Sequence, residues 1–258
     1  MRIVTYNLNG IASRLSALLD LLEETRPDVV CLQELKTTGD RFPLAAIERA
    51  GYGAVWQGQK SWNGVAILAR GCEPVETRRG LPGDPDDDQS RYIEAAVGGV
   101  IVASLYAPNG NPRPGPKFEF KLRWLARLRA HALGLLHSGL PVVLAGDYNI
   151  IPTDLDVYVP ERWREDALFH VSVREAYAQL LADGWIDAVR ESHPGQRIYT
   201  FWKYLRNAYQ RDAGLRIDHL LLSPALALRM RGAGVERAHR GQARSSDHAA
   251  TWVELAAT

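Results

Sequence analysis

Short apolar runs interrupted by polar turns dominate the chain. Arg2–Tyr6 alternates as a strand does and leads into a turn at Asn7–Gly10. Leu15, Leu18, Leu19 and Leu22 recur at three- and four-residue spacing, which predicts a helix ended by Pro27. The segment from Asp28 to Gln33 is apolar throughout and short enough for a buried strand. Strands are also predicted at Asn63–Ala69, Tyr92–Val97 and Val100–Tyr106, with Gly98-Gly99 turning the last two into a hairpin. Lys117–His137 carries the longest helical pattern. Pro141–Ala145 reads as a second buried strand, running into Gly146-Asp147-Tyr148-Asn149. Helices are predicted near Val173–Leu181 and Trp185–Glu191, and strands at Ile217–Leu222 and Ala249–Leu255. Strands outnumber helices and hairpins occur, so two packed sheets covered by helices fit better than a doubly wound parallel sheet. No repeat or low-complexity linker divides the chain, and Gly80–Ser90 reads as a surface loop. A single α/β domain over residues 1–258 is expected.

Composition adds limits. Of the 258 residues 46% are hydrophobic and 24% charged, which argues against disorder and coiled coil. The net charge is only +1, but it is unevenly spread. Arg197–Arg244 holds 10 Lys/Arg against 3 Asp/Glu, whereas Ile150–Gln196 holds 4 against 9. The basic stretch fits either a surface that contacts phosphates or an ordinary solvated face. Cys31 and Cys72 cannot build a disulfide framework or a Cys-x-x-Cys zinc site. The N-terminus lacks the build of a signal peptide and no run reaches about 18 apolar residues, so a cytoplasmic protein with no membrane contact is expected.

Polar residues stand repeatedly where a predicted strand ends. Asn7 and Asn9 follow the first strand, Glu34 the second, and Tyr106 and Asn109 a later one. Asp147 and Asn149 follow another, Asp218 interrupts an apolar run, and Asp247-His248 precede the last strand. Gathered at one end of a sheet, these groups would form a site for a hard cation bound by oxygen. Each alone also fits a simpler reading, since Asp and Asn favour turns for their own backbone hydrogen bonds. Asp218 is harder to dismiss, because a carboxylate beside a buried strand needs a partner, and His248 is a natural one. The other six histidines read as structural. No G-x-S-x-G elbow, P-loop or G-x-G-x-x-G is present, which disfavours serine nucleophiles and nucleotide cofactors.

In chain order the segments TYNLNG (5–10), LQE (32–34), WNGVAIL (62–68), SRYIEA (90–95) and YAPNG (106–110) are followed by KFEFKLRWL (117–125). GDYNI (146–150), YTFWKY (199–204), GLRIDHLLLS (214–223) and SSDH (245–248) complete the series. Together they resemble the exonuclease III family of abasic-site endonucleases, within the endonuclease/exonuclease/phosphatase superfamily. The resemblance covers nearly the whole chain, and the set is far more specific than any single motif.

The resemblance implies a four-layered α/β sandwich of two packed, mainly antiparallel β-sheets flanked by helices. It implies hydrolysis of DNA phosphodiesters with Mg²⁺, or Mn²⁺ as a substitute, by incision 5′ to abasic sites, 3′→5′ exonuclease action or cleaning of 3′ ends. Glu34, Asn7 and Asp247 are the implied metal residues. Asp147, helped by Asn149, would activate water; His248, paired with Asp218, would stabilise the phosphate; Tyr106 would stand beside the leaving oxygen. Asn109 completes the polar ring. Phe201, Leu215 and Ile217 would line a pocket for a flipped-out abasic sugar. Double-stranded DNA with abasic sites or 3′ ends is the expected partner of a monomer, gripped through Arg91, Arg113, Lys117, Lys121 and the basic segment. Trp202 and Tyr204 would stack on bases, although Trp202 fits a core position equally well. Asn9 stands where some members carry a metal-binding aspartate, which suits one ion. Leu215 replaces a tryptophan found in some members, and the wider pocket this suggests would favour exonuclease action. A phosphatase of inositol phosphates, a lipid phosphodiesterase and a silent DNA-binding module are the competing readings.

Overall fold

Alternation along the central strands decides which side chains meet between the layers. The computed structural model describes residues 1–242 and 245–257; Arg244, counted in the basic segment, lies outside them. The strands are β1 (Arg2–Asn7), β2 (Val29–Gln33), β3 (Tyr52–Gln57), β4 (Val65–Arg70), β5 (Val75–Arg79) and β6 (Tyr92–Val97). They continue with β7 (Val100–Tyr106), β8 (Val142–Asp147), β9 (Ile186–Asp187), β10 (Asp218–Leu222), β11 (Met230–Val235) and β12 (Thr251–Leu255).

They form two six-stranded sheets, ordered β11-β12-β1-β2-β4-β3 and β5-β6-β7-β8-β10-β9. Each sheet contains one parallel pair, β1–β2 or β7–β8, among antiparallel neighbours. Between the sheets lies a core that includes Ile3, Val29, Cys31, Val102, Val143 and Leu220. On one outer face Leu18, Leu21 and Leu22 of α1 (Ile11–Thr25) pack on Val4, Val30 and Leu32, alongside Ile47 of α2 (Leu44–Arg49). On the other, Trp124, Leu125 and Leu128 of α3 (Pro116–His137) and Val173 and Leu180 of α4 (Val171–Ala182) cover Leu105 and Leu144. The expected four layers are therefore present.

The structure departs from the sequence expectations mainly at the margins. β3, β5 and β11 were not expected. β5 is exposed along its whole length and pairs only with β6, so it has no apolar face to announce it. The helix expected at Trp185–Glu191 is instead the two-residue strand β9 followed by α5 (Ala188–Ser192). Asp187 causes the switch: its side chain accepts from the Arg190 N–H and caps α5. The surface loop at 80–90 is pinned to α3, because Arg127 pairs with Asp87 and donates to the Leu81 and Pro82 carbonyls. Among the described residues, no helix is long and apolar enough to cross a membrane.

Candidate active site

Because successive side chains of a strand point to opposite faces, Ile3, Thr5 and Asn7 share the inner face of β1. The same period puts Cys31 and Gln33 of β2, Ser104 and Tyr106 of β7, and Val143, Ala145 and Asp147 of β8 between the sheets. The polar members come last along each strand and are buried. A ladder of hydrogen bonds links them: Thr5 Oγ1 donates to Gln33 Oε1 (3.2 Å), and Gln33 Nε2 donates to Ser104 Oγ (3.1 Å) in the facing sheet. Strand register does the rest. Tyr106 and Asp218 flank Asp147 as its partners on β7 and β10.

The Asn7 side-chain amide donates to Asp147 Oδ2 at 2.9 Å and to Glu34 Oε1 at 3.0 Å, bridging the sheets. Glu34 follows β2 with a left-handed φ of 51°, as do Asn9 and Asn149, each at 51°, and Lys36 at 53°. Asparagine tolerates this region, whereas glutamate and lysine are strained there, a cost that aims both side chains at one point. Lys36 Nζ lies 2.8 Å from Glu34 Oε2 and donates to Asn9 Oδ1 at 2.6 Å; Asn9 in turn donates to Asp247 Oδ1 at 3.0 Å. Burial opposes ionisation of Glu34, but bonds from Asn7 and Lys36 and the Lys36 charge outweigh it, so its pKa falls below the usual carboxylate value.

Asp147 Oδ1 accepts the Asn149 backbone N–H at 2.8 Å. Burial raises the Asp147 pKa, the neighbouring Asp218 and Glu34 charges add to the rise, and His248 works against it. His248 Nδ1 lies 2.9 Å from Asp218 Oδ2, and its Nε2 lies 3.9 Å from Asp147 Oδ2. Burial alone would lower the His248 pKa; the attached Asp218 carboxylate and the Asp147 charge reverse this and hold the ring protonated. Burial likewise raises the Tyr106 pKa, reinforced by Glu34 and Asp147, so its phenol keeps its proton.

These groups open onto a 490 Å³ cavity whose polar wall includes Glu34, Tyr106, Asn109, Asp147, Asp247 and His248. Its apolar wall is Trp163, Leu168, Phe201, Leu215 and Ile217. Asn109 Nδ2 donates to Asn149 Oδ1 at 3.1 Å, closing the ring. Asp147, Asp218 and His248 place ligand atoms within 4.8 Å of one another, a group able to hold a metal ion. Because Asp218 is already committed to the imidazole, the carboxylate oxygens of Glu34 and Asp247 are the better donors for a hard cation.

The expectations for Lys121 and Trp202 require correction. Lys121 does not reach outward: it is fully buried, and its Nζ donates to the backbone carbonyls of Asn149 (2.5 Å) and Asn109 (3.1 Å). Trp202 is 1% exposed and packs with Tyr199, Ala208 and Ala249, its indole N–H donating to Asp212, so it cannot stack on a base. Arg91, half-buried, lays its guanidinium over the Tyr106 ring, 4.8 Å from the centroid, and donates to the Tyr106 backbone carbonyl. Arg113 is similarly engaged, by an ion pair with Glu165.

Other residues at the cavity escaped the sequence reading. Lys36 lies two positions after Glu34, and Trp62, 71% exposed at the rim, opens the WNGVAIL segment; either position was a usable signal. Trp163 had none, because its surroundings read only as an acidic stretch.

The profile described as the Endonuclease/Exonuclease/phosphatase family matches residues 4–248. Exodeoxyribonuclease III of Haemophilus influenzae is 33% identical over 267 residues, covering 99% of this chain and all of that protein. An AP endonuclease from Archaeoglobus fulgidus superposes with a TM-score of 0.95 at 35% identity, with 100% of each chain covered. A 3′ phosphatase from Neisseria bound to a product DNA hairpin does so with a TM-score of 0.95 at 40% identity, again over 100% of each chain. With the match running from β1 to His248 and the strand-end groups meeting in one cavity, the chain belongs to the endonuclease/exonuclease/phosphatase family.

Proposed function

We propose that this chain is a divalent-metal-dependent DNA phosphodiester hydrolase of base excision repair, incising 5′ to abasic sites and processing 3′ ends. The observation that carries the reading is the convergence of Glu34, Asp147 and the Asp218–His248 pair beside an apolar pocket. The name of the Haemophilus relative, an exodeoxyribonuclease, and the product DNA hairpin bound to the Neisseria 3′ phosphatase support DNA as the substrate. The two sheets share one core, which supports reading the 258 residues as one catalytic domain.

Glu34, Asn7 and Asp247 would hold Mg²⁺, or Mn²⁺ in its place. The donor set suits it: the carboxylate oxygens of Glu34 and Asp247 face one cavity, and the Asn7 amide fixes the Glu34 carboxylate from the side. When bound, such an ion supplies Lewis-acid neutralisation of the phosphate. Asp147, raised in pKa, accepts a proton from the attacking water while Asn149 fixes its other oxygen. The His248 imidazolium, oriented by Asp218, donates to a phosphoryl oxygen as negative charge develops. The Tyr106 phenol, still protonated, stands by the leaving oxygen. Phe201, Leu215 and Ile217 receive the sugar turned out of the helix, and extrusion is cheapest where no base is stacked.

The test is a labelled duplex with one tetrahydrofuran abasic analogue, incubated with Mg²⁺ or with EDTA, beside an undamaged duplex. A single Mg²⁺-dependent nick 5′ to the lesion is the expected result. Absence of cleavage at the lesion and at 3′ ends would overturn the proposal.

A further inference from the structure

Asn9, in the turn after β1, is bonded at every polar atom. Its backbone N–H donates to Asn7 Oδ1 (3.0 Å), its side-chain amide donates to Asp247 Oδ1 (3.0 Å), and its Oδ1 accepts from Lys36 Nζ (2.6 Å). The remaining atom, the backbone carbonyl, accepts from Nη1 of Arg14, which also donates to Ser13 Oγ. The other end of the same guanidinium reaches 190 residues along the chain, where Nη2 donates to the Tyr204 hydroxyl at 3.0 Å.

Tyr204 is a prepared acceptor. Its proton goes to the Ser245 carbonyl at 2.9 Å, which leaves the oxygen lone pairs for Arg14. Its ring lies 5.1 Å from the guanidinium carbon of Arg240, a buried residue that donates to the Trp202 carbonyl at 3.0 Å. The Trp202 N–H in turn donates to the Asp247 carbonyl at 2.9 Å. A circuit therefore runs from Asn9 through Asp247, Trp202 and Tyr204 and back to Asn9, and Arg14 closes it. Two cavity residues, Phe201 and Lys203, sit on the loop side of this circuit, while Glu34 sits on the other, held through Lys36.

Arg14 stands in an unfavourable place for a cation. It is half-buried in the first turn of α1, where positive charge opposes the helix dipole, and α1 kinks at it (φ −126°, ψ 17°). Bonds at both ends of the guanidinium offset that cost. A planar fork serves two acceptors at once, which a lysine ammonium on its shorter stem does not reproduce.

We infer that Arg14 is a positioning residue for the proposed hydrolysis. Through Asn9 and Tyr204 it fixes the loop beginning at Phe201 against the Glu34 and Asp247 side of the cavity. The inference rests on the proposed nuclease function and deepens it. A loop tied down in the free protein loses less freedom when DNA arrives, so opening the circuit weakens binding and leaves the reacting groups as they were.

The test uses the full chain with Arg14→Lys, which keeps the charge and loses the fork, with Tyr204→Phe, which removes the acceptor, and with both together. Affinity for a duplex carrying a tetrahydrofuran site is measured by fluorescence anisotropy in EDTA, and kcat and KM for its incision are measured in Mg²⁺. Each single variant should weaken binding and raise KM by about tenfold, with kcat at saturation within about twofold. The double variant should bind no worse than the weaker single one, because both changes cut one link. If Arg14→Lys binds as wild type does, charge alone matters and the inference falls. It falls too if the two effects multiply in the double variant, or if kcat drops while KM and binding hold. Should Arg14→Lys fail to fold, wild-type affinity of Tyr204→Phe would overturn the inference and a tenfold loss would support it. Wild-type protein that neither binds nor incises the duplex would instead overturn the proposed function itself.

Discussion

Asn7 stands 2.9 Å from Asp147, its side-chain amide donating across the gap between the two sheets. The same amide also donates to Glu34, so one neutral residue holds two carboxylates in place. Asn7→Asp would substitute a third anion for two donated bonds. It should lower the melting temperature in EDTA, and the loss should shrink as Mg²⁺ is added. Thermal unfolding across a Mg²⁺ titration measures this; an equal loss at every concentration would separate Asn7 from the metal.

Asp147→Asn should reduce turnover by about 10²–10⁴-fold, the usual range for losing a positioned proton acceptor. The substitution should also stabilise the fold in the absence of metal. The Asp147 pKa is raised on folding, so the native state binds its proton more tightly than the unfolded chain does. Its contribution therefore weakens as pH rises through the ordinary carboxylate range and above it. Urea midpoints at pH 4 and pH 8 give the comparison: the variant's advantage should grow with pH.

Behind the site, buried Arg216 spans Asp156 Oδ1 (2.6 Å) and Asp187 Oδ2 (2.7 Å). His219 takes an arginine N–H on Nδ1 at 3.1 Å and meets the Ile150 carbonyl with Nε2 at 2.9 Å. Arginine only donates and a carbonyl only accepts, so this ring is the neutral tautomer with its proton on Nε2. Burial, helped by the Arg216 charge, lowers its pKa to about 4. Burial would raise the Asp187 pKa, but Arg216 and His219 bring it down to about 2. Both shifts have one sign: on acidification the unfolded chain takes up protons first. Stability should fall as pH drops from about 6.5 towards 4 through His219, then again from about 4 to 2 through Asp187. The histidine limb is worth at most about 3 kcal/mol. His219→Gln should flatten it, which denaturation midpoints across that range will show.

Gly146 lies where β8 comes closest to β7. A Cβ there would sit 1.9 Å from the Leu105 carbonyl oxygen, in backbone that cannot turn aside. Gly146→Ala should cost about 3 kcal/mol or more and displace Tyr106 from Asp147, its partner in the strand register. A urea melt shows the first effect and the abasic-incision assay the second.

Lys121→Met should lower activity by loosening Asn109 and Asn149, while the slope of log Kd for DNA against log salt stays unchanged. Lys203→Ala, at the exposed cavity rim, should reduce that slope by about 1. A reduced slope for Lys121→Met would return that residue to the DNA surface.

Much of this protein is legible in its sequence. Residues such as Ile3, Val29, Val102 and Val143 have the apolar spacing of central strands, and strand-end polar residues such as Asn7, Glu34 and Asp147 stand where turns begin. Period-two alternation along β1, β2, β7 and β8 already decides that those final side chains share a face with the core. Edge strands are another matter. β5 has no buried residue, so only pairing with β6 defines it.

What the sequence could not determine is direction and distance. Lys121 and Arg206 are both cations near family motifs, yet one is sealed beneath Asn109 and Asn149 while the other is exposed at a cavity. Trp163 joins the site from an acidic stretch more than a hundred residues beyond Glu34. Composition and period report what a residue is and which face it takes. Burial, charge pairing and the meeting of a sheet end with a distant loop depend on how whole layers pack, and only the folded chain settles those.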